Sequence, residues 1–283
     1  MDKIENIKEI LRSLLFDEDS EYEIVKKKKK PEITWEPWMI DELKKCKESV
    51  IYFAENYCTI NTIDGGQHLI DLFSWQKMEL LNWTHQKQSN TCCSRQIGAS
   101  TIQTIFALHQ AIFNKGHKVV ILTNREQMAK EMKDRIKRIY RNLPHWMKSG
   151  VPSFSKNRMD FCNESVISCN TTNTDDIRGQ TVNTLIIDNI DYTDPSYTTD
   201  IFCSILPMVS AHKKSKIIIC GTPNPYNPDS IQSKLSKQYK WNTTFYRWYC
   251  LEHRDEKWKS DQLCMLNDNQ AKWDQEYELK SVV

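Results

Sequence analysis

The chain has 283 residues, with 39 basic and 37 acidic side chains and a formal net charge of +2. A chain of this length can bury a core without disulfides, as one large α/β domain or two smaller ones. The balanced charge excludes a globally basic nucleic-acid binder, so any contact with DNA must come from local patches. No apolar run approaches the roughly 18 residues of a spanning helix, and the acidic, amphipathic start does not resemble a signal peptide. We therefore expect a soluble, cytosolic protein with no membrane partner.

The ten cysteines contain no C-x-x-C pair, and a single histidine, His253, lies near a cysteine, Cys250, at ligand-like spacing. One such pair does not make a zinc site. We interpret the cysteines as free thiols, most of them buried, in a reducing compartment.

The first 37 residues differ in composition from the rest. Residues 1–18 carry isoleucines and leucines at helical spacing and predict a short helix. A linker with five consecutive lysines, Lys26–Lys30, follows. The lysine run is either a solvated segment or an arm that contacts backbone phosphates. We predict a small N-terminal helical arm and basic linker over 1–37, and one domain over 38–283.

Beyond the linker, short apolar runs alternate with helical patterns. Residues 38–58 predict one or two amphipathic helices, and another contains Gln76. A strand, a tight loop and a helix follow over 89–113, then a buried strand and a charged helix over 118–143. Residues 160–174 resemble an antiparallel hairpin or peripheral strands, and buried runs lie at 183–191 and 215–224. This alternation predicts an α/β fold with a mostly parallel central sheet flanked by helices.

Three of the predicted strands end in polar motifs. The first is followed by the loop from Ser94 to Thr101, the second ends at Asp188 and the third at Gly221. Ligands of open parallel sheets bind at the carboxyl ends of the strands. Three such motifs in this order and spacing predict a P-loop ATPase of the additional-strand type.

The loop after the first strand aligns with the phosphate-binding pattern G-x-x-x-x-G-K-[ST]. Gly98 leaves the backbone free to wrap phosphates, and the following helix offers unpaired N–H groups. Ser100 is the predicted hydroxyl ligand of Mg²⁺. Two positions depart from the pattern, because Cys93 replaces the first glycine and Ala99 replaces the phosphate-binding lysine. The predicted ATP-binding residues of the loop are Ser94, Arg95, Gln96, Ile97, Gly98, Ala99, Ser100 and Thr101.

Asp188 ends the second strand and is the predicted carboxylate anchor of Mg²⁺. An active member of this class has a water-polarising glutamate at the next position, where this chain has Asn189. An amide can orient water but cannot take its proton. Asp191 is a candidate replacement, although its spacing shows only that it faces the same side.

The third motif runs from Gly221 to Asn224. Thr222 and Asn224 could sense the γ-phosphate and relay its loss, as a coupling motif. Alternatively, Gly-Thr-Pro-Asn is simply a good turn. The tryptophans near the end of the chain, by contrast, predict core or interface packing rather than a DNA-stacking platform: Trp241, Trp248, Trp258 and Trp273.

From about Val50 onward these residues resemble the large terminase subunit of tailed bacteriophages, the ATPase that drives double-stranded DNA into a prohead. The resemblance rests on LFSWQKMEL, SRQIGAST, DDIRGQTVNTLIIDNID, SKIIICGTPN and WDQEYELK. It implies that Gln76 binds adenine and that Arg95 is a candidate arginine finger. Arg178 could serve a neighbouring subunit, or it is an ordinary surface arginine.

The resemblance implies ATP and Mg²⁺ as cofactors and double-stranded DNA, a portal and a small terminase subunit as partners. It further implies a homo-oligomeric ring in the host cytoplasm. Family members continue into a nuclease domain, which we expect to be absent from this chain. Hydrolysis is expected to be weakened or lost through Ala99 and Asn189. Two alternatives stay open: a non-hydrolysing ATP-binding scaffold, and another P-loop DNA translocase or helicase.

Overall fold

The chain folds around an eight-stranded sheet, and the computed structural model describes residues 34–61, 65–151, 153–172, 181–193, 214–224 and 230–280. The predicted helix at 1–18, the lysine run and Arg178 lie outside these residues. The helices are α1 Pro37–Glu48, α2 Val50–Tyr57, α3 Ser74–His85, α4 Ala99–Phe113, α5 Glu126–Asn142, α6 Ile231–Lys237, α7 Glu256–Met265 and α8 Gln270–Trp273. Single 3₁₀ turns lie at His145–Met147, Ile190–Tyr192 and Trp248–Cys250, and a π turn at Asp274–Glu278 follows α8.

The strands are β1 Thr59–Asn61, β2 Gln67–Leu69, β3 Gln88–Cys93, β4 Lys118–Thr123, β5 Ser153–Phe154, β6 Arg158–Asp160, β7 Val166–Thr171, β8 Thr184–Asp188, β9 Lys216–Gly221 and β10 Asn242–Tyr246. β1 and β2 form a separate hairpin. The main sheet has the order β10-β3-β9-β8-β4-β7-β6-β5. Strands β10 through β7 in this order are parallel, and β6 and β5 add antiparallel at one edge.

The order of the strands confirms the predicted α/β fold and the additional strand. β9 lies between β3 and β8, so the ends of all three motif-bearing strands are neighbours at one edge of the sheet. The interpretation of 160–174 as an antiparallel hairpin or peripheral strands is confirmed in part, because β6 and β7 pair antiparallel. β7 also pairs parallel with β4 and so lies inside the sheet, while β6 and β5 extend the sheet antiparallel to its edge.

Alternating side chains of the central strands fill two separate cores, one on each face of the sheet. In β4, Val119 and Ile121 join the larger core with α2 to α5, whereas Val120 and Leu122 join the smaller core with α6. Burial on both faces explains the continuous apolar runs of these strands. α5 contributes buried residues at helical spacing, in keeping with one apolar stripe: Ala129, Met132, Ile136, Ile139 and Tyr140.

The aromatic residues near the end of the chain pack together, as predicted. Trp248 and Trp273 are buried, with ring centroids 5.8 Å apart, and Trp258 stacks on Trp248 at 5.9 Å. Tyr277 lies 4.6 Å from Trp273. We call residues 248–280 the C-terminal segment, and this cluster is its core.

Candidate nucleotide-binding cleft

The loop between β3 and α4 contains two residues with a left-handed backbone. Gly98 is left-handed, with φ +89°, and Gln96 has φ +59°. Ser94 N donates to Tyr246 O at 2.8 Å, which fixes the start of the loop to β10. Helix α4 then begins at Ala99, so the unpaired N–H groups of its first turn face the loop.

Gln76 lies behind this loop, on α3. Its side chain is 3% exposed; Oε1 accepts from Phe73 N at 3.1 Å and Nε2 donates to Ile97 O at 3.3 Å. A Cβ on Gly98 would lie 2.6 Å from Gln76 Nε2, so the glycine permits the close approach. Gln76 therefore supports the backbone of the loop, and its predicted contact with adenine stays a prediction.

Asp188 is buried at the end of β8. Its Oδ1 accepts from Gln103 Nε2 at 2.8 Å, and its Oδ2 accepts from Asn189 Nδ2 at 2.9 Å. Burial raises the pKa of Asp188, and these two hydrogen bonds oppose that rise. The charge of Arg135 also lowers the pKa of Asp188.

Asn189 has a left-handed backbone, with φ 53°, and its side chain bridges two strands. Besides bonding Asp188, it accepts from Thr222 N through Oδ1 at 3.4 Å. Gly221 makes this approach possible, since a Cβ there would lie 2.9 Å from Asn189 Cα. The position thus holds a neutral amide that orients its neighbours.

Asp191, the candidate substitute base, has a different task. Its four hydrogen-bond donors are Ser230 Oγ at 2.6 Å, Asn224 N at 3.2 Å, Ile231 N at 2.8 Å and Gln232 N at 3.3 Å. Burial raises the pKa of Asp191, and these bonds oppose the rise. Asp191 therefore anchors the start of α6 and the third motif, and a role as the base is not supported.

Thr222, at the end of β9, is tied to the loop-bearing strand. Its hydroxyl donates to Cys93 O at 2.8 Å and is buried. Asn224 contributes a backbone N–H to Asp191. The third motif therefore touches both the first and the second motif, which a simple surface turn would not do.

These strand ends enclose one cleft of about 520 Å³. It is lined by the predicted residues Ser94 to Thr101, Asp188, Asn189 and Thr222, whereas Gln76 and Asn224 do not line it. Sequence reasoning missed other lining residues, which come from the segment after β4 and from the turn after β8: Asn124, Arg125, Met128, Arg135 and Tyr192. Asn124 and Arg125 directly follow a buried strand, a signal that could have suggested them.

The C-terminal segment holds the same loop from outside. Arg95 forms an ion pair with the buried carboxylate of Glu276, and Arg95 N donates to Glu276 O at 3.0 Å. Arg254 donates to Gln96 O at 2.8 Å and to Arg95 O at 3.4 Å. The loop thus has contacts with residues that lie more than 150 positions further along the chain.

The donor groups of the cleft fit a magnesium nucleotide. Ser94 Oγ is buried and has no hydrogen-bond partner in the described part of the chain, and a buried polar group of this kind calls for a ligand or water. The Asp188 carboxylate and the Ser100 hydroxyl border the same space and are the hard oxygen donors that Mg²⁺ prefers.

A family model described as the large terminase subunit, T4-like virus type, N-terminal, matches residues 90–282. The match begins in β3 and includes every motif of the cleft. The chain belongs to this terminase family. The sequence resemblance found above is thereby confirmed.

Solved structures share the fold of this terminase. The ATPase domain of the Thermus phage P74-26 large terminase is 15% identical, with a TM-score of 0.53 over 71% of this chain and 91% of that chain. The HK97 bacteriophage large terminase is 16% identical, with a TM-score of 0.56 over 69% of this chain and 41% of that chain. The large terminase of a thermophilic bacteriophage, in complex with ADP, is 12% identical, with a TM-score of 0.50 over 68% of this chain and 50% of that chain.

These terminases agree with the present chain in the mixed α/β ATPase fold. At such low identity the likeness is one of fold alone. In the described part of the chain, no helix of this terminase has both the length and the apolar character to cross a membrane.

Proposed function

We propose that this terminase binds ATP with Mg²⁺ in the cleft and couples ATP turnover to translocation of double-stranded DNA. The observation that carries the proposal is the meeting of the 94–101 loop, Asp188 and Thr222 around one cleft. Three motifs from three strand ends meet there. If these motifs were only turns or structural glycines, they would not need to meet at one cleft. The ADP in complex with the large terminase of the thermophilic bacteriophage supports a nucleotide as the ligand.

The residues divide the task by position. Backbone N–H groups of 96–100 would bind phosphate oxygens, and Ser100 and Asp188 would hold Mg²⁺. Arg95 would have to leave its ion pair with Glu276 to neutralise charge on the transferred phosphate, and Arg178 would serve a neighbouring subunit in the same way. When bound, the nucleotide supplies the phosphoanhydride whose cleavage provides free energy for movement. Thr222 transmits a change in the loop to β9 through its bond to Cys93 O.

The wider assembly follows from the family. We propose a homo-oligomeric ring on a portal in the host cytoplasm, with double-stranded DNA and a small terminase subunit as partners. The 1–37 segment would be an arm attached to an ATPase domain over 38–283.

A non-hydrolysing role has its own observation in favour. Asn189 donates to Asp188 and accepts from Thr222 N, so a neutral amide stands where a base is needed. Losing a base and a phosphate-binding cation each lowers a rate by about 10²- to 10⁴-fold. The chain would then bind ATP and turn it over slowly or not at all.

The test measures MgATP binding by calorimetry and phosphate release with double-stranded DNA. We expect the wild type to bind MgATP with low turnover, and the Ala99→Lys, Asn189→Glu variant to release phosphate at least about 100-fold faster. Adding Asp188→Asn to that variant should abolish its turnover. Absence of MgATP binding in both the wild type and the double variant would refute the proposal. Equal, rapid turnover in both would refute the roles assigned to Ala99 and Asn189.

A further inference from the structure

Arg135 is a cation of the cleft that belongs to none of the recognised motifs. It lies on α5, and its guanidinium donates to Thr101 Oγ1 at 3.3 Å, across to the first turn of α4. It also lines the cleft. Arg135 therefore stands beside the helix start where the phosphates of a nucleotide would lie.

Three arginines line the cleft among the described residues, and they differ in their surroundings. Arg95 is paired with Glu276, and Arg125 is exposed. Arg135 is half-buried, and within the described ranges it forms no ion pair with a carboxylate. Burial lowers the pKa of Arg135, although an arginine stays protonated at neutral pH. It is thus a partly desolvated cation with unused hydrogen-bonding capacity.

The loop itself has lost its cation at the position of Ala99. A methyl group cannot neutralise the phosphate charge that a lysine would meet there. A guanidinium carries the same charge and presents paired donors that match two phosphate oxygens. We infer that Arg135 supplies, from helix α5, the cation that Ala99 removes from the loop, and that it binds the β- and γ-phosphates of the nucleotide. This inference rests on the proposed function of the cleft.

The experiment compares MgATP and AMP binding to the full chain by calorimetry. Because a charged hydrogen bond to phosphate is among the stronger ones, Arg135→Gln should weaken MgATP binding about 10- to 100-fold. AMP has no β- or γ-phosphate and should bind as it does to the wild type. Arg135→Lys keeps the charge and should bind MgATP within a few-fold of the wild type.

Rescue separates a phosphate contact from a structural role. Adding Ala99→Lys to Arg135→Gln should restore MgATP affinity, because the lysine returns the cation to the loop. Arg138→Gln is the matched control, since Arg138 lies on the same helix, is exposed and does not line the cleft. It should leave MgATP binding unchanged. Thermal unfolding of each variant confirms that it is folded.

Failure of the inference about Arg135 and failure of the proposed function give different experimental results. If Arg135→Gln binds MgATP like the wild type, the inference is overturned and the proposed function stands. The same holds if Arg135→Gln loses MgATP and AMP equally and Ala99→Lys restores neither. If Ala99→Lys binds MgATP and the wild type does not, Arg135 does not replace the lysine. If neither the Ala99→Lys variant nor the wild type binds MgATP, the proposed function fails as well.

Discussion

At the scale of single residues, Gly98 shows why the loop tolerates no side chain there. Its φ of +89° lies in the region that L-residues avoid, and an added Cβ would meet Gln76 Nε2 at 2.6 Å. Gln76 cannot withdraw freely, because it is buried and bonded to Phe73 N and Ile97 O. Gly98→Ala should therefore lower the unfolding free energy by more than the roughly 1 kcal/mol of backbone strain, and weaken MgATP binding.

Gly65 provides the matched control for this prediction. Its φ is +81°, and no atom of the described residues lies within 4 Å of an added Cβ. Gly65→Ala should cost the strain alone, about 1 kcal/mol. Urea denaturation of both variants measures the difference. Equal losses of unfolding free energy in the two variants would mean that Gln76 does not prevent a side chain at position 98.

The residues of the site differ in whether the neighbouring sequence could have identified them. The 94–101 loop, Asp188 and Thr222 could be predicted, because each lies at the end of a strand that the local sequence indicates. Arg135 and Glu276 could not, since each reaches the loop through a tertiary contact that leaves no pattern nearby in the chain. The spacing of Asp191 left its role open for the same reason, because its four donors come from a segment beginning more than 30 residues later.

At the scale of elements, the seam between α4 and the N-terminal helices contains a buried histidine. His109 packs between Phe53 and Phe113, with ring centroids 5.6 and 5.0 Å away. Its Nε2 donates to Cys46 O at 2.8 Å, while Nδ1 lies 3.3 Å from Gln110 Nε2 as an acceptor. Both ring nitrogens are thus used by the neutral form, and burial lowers the pKa of His109 from 6.5 to about 4.

This histidine predicts a loss of stability in mild acid. Between about pH 6.5 and pH 4, His109 is protonated in the unfolded chain but neutral in the folded chain. Because the unfolded chain binds the additional proton, stability falls as the pH falls. The loss amounts to about 2 kcal/mol from pH 7 to pH 5. His109→Leu should flatten this part of the profile in chemical denaturation. His85→Gln, at an exposed position at the end of α3, is the control and should keep the wild-type slope.

The strand order is an element-scale result that the sequence could predict only in part. Buried apolar runs identify β4, β8 and β9, and the predicted additional strand agrees with the position of β9 between β3 and β8. β7 was harder to assign, because VISCNT alternates apolar and polar residues like an edge strand. In the structure it pairs parallel with β4 along its whole length.

At the scale of the whole molecule, the C-terminal segment joins the loop to the far end of the chain. Arg254 is buried, donates to the carbonyls of Arg95 and Gln96, and lies 4.3 Å from the Trp258 ring centroid. The guanidinium therefore connects the aromatic cluster of the segment to the backbone that would wrap phosphates. A contact of such sequence separation makes the stability of the segment and the shape of the loop depend on each other.

Arg254→Gln should disturb both ends of this connection. Losing charged hydrogen bonds and a cation–π contact should lower the unfolding free energy by about 2–4 kcal/mol. Because the carbonyls of Arg95 and Gln96 lose their anchor, MgATP binding should weaken about tenfold or more. Lys259→Gln is the control. Lys259 is a cation of the same segment whose Nζ lies 5.7 Å from the ring centroid of Trp248, which stacks on Trp258. It does not border the cleft. If Arg254→Gln loses stability and keeps the affinity of the wild type for MgATP, the segment supports the fold without shaping the loop.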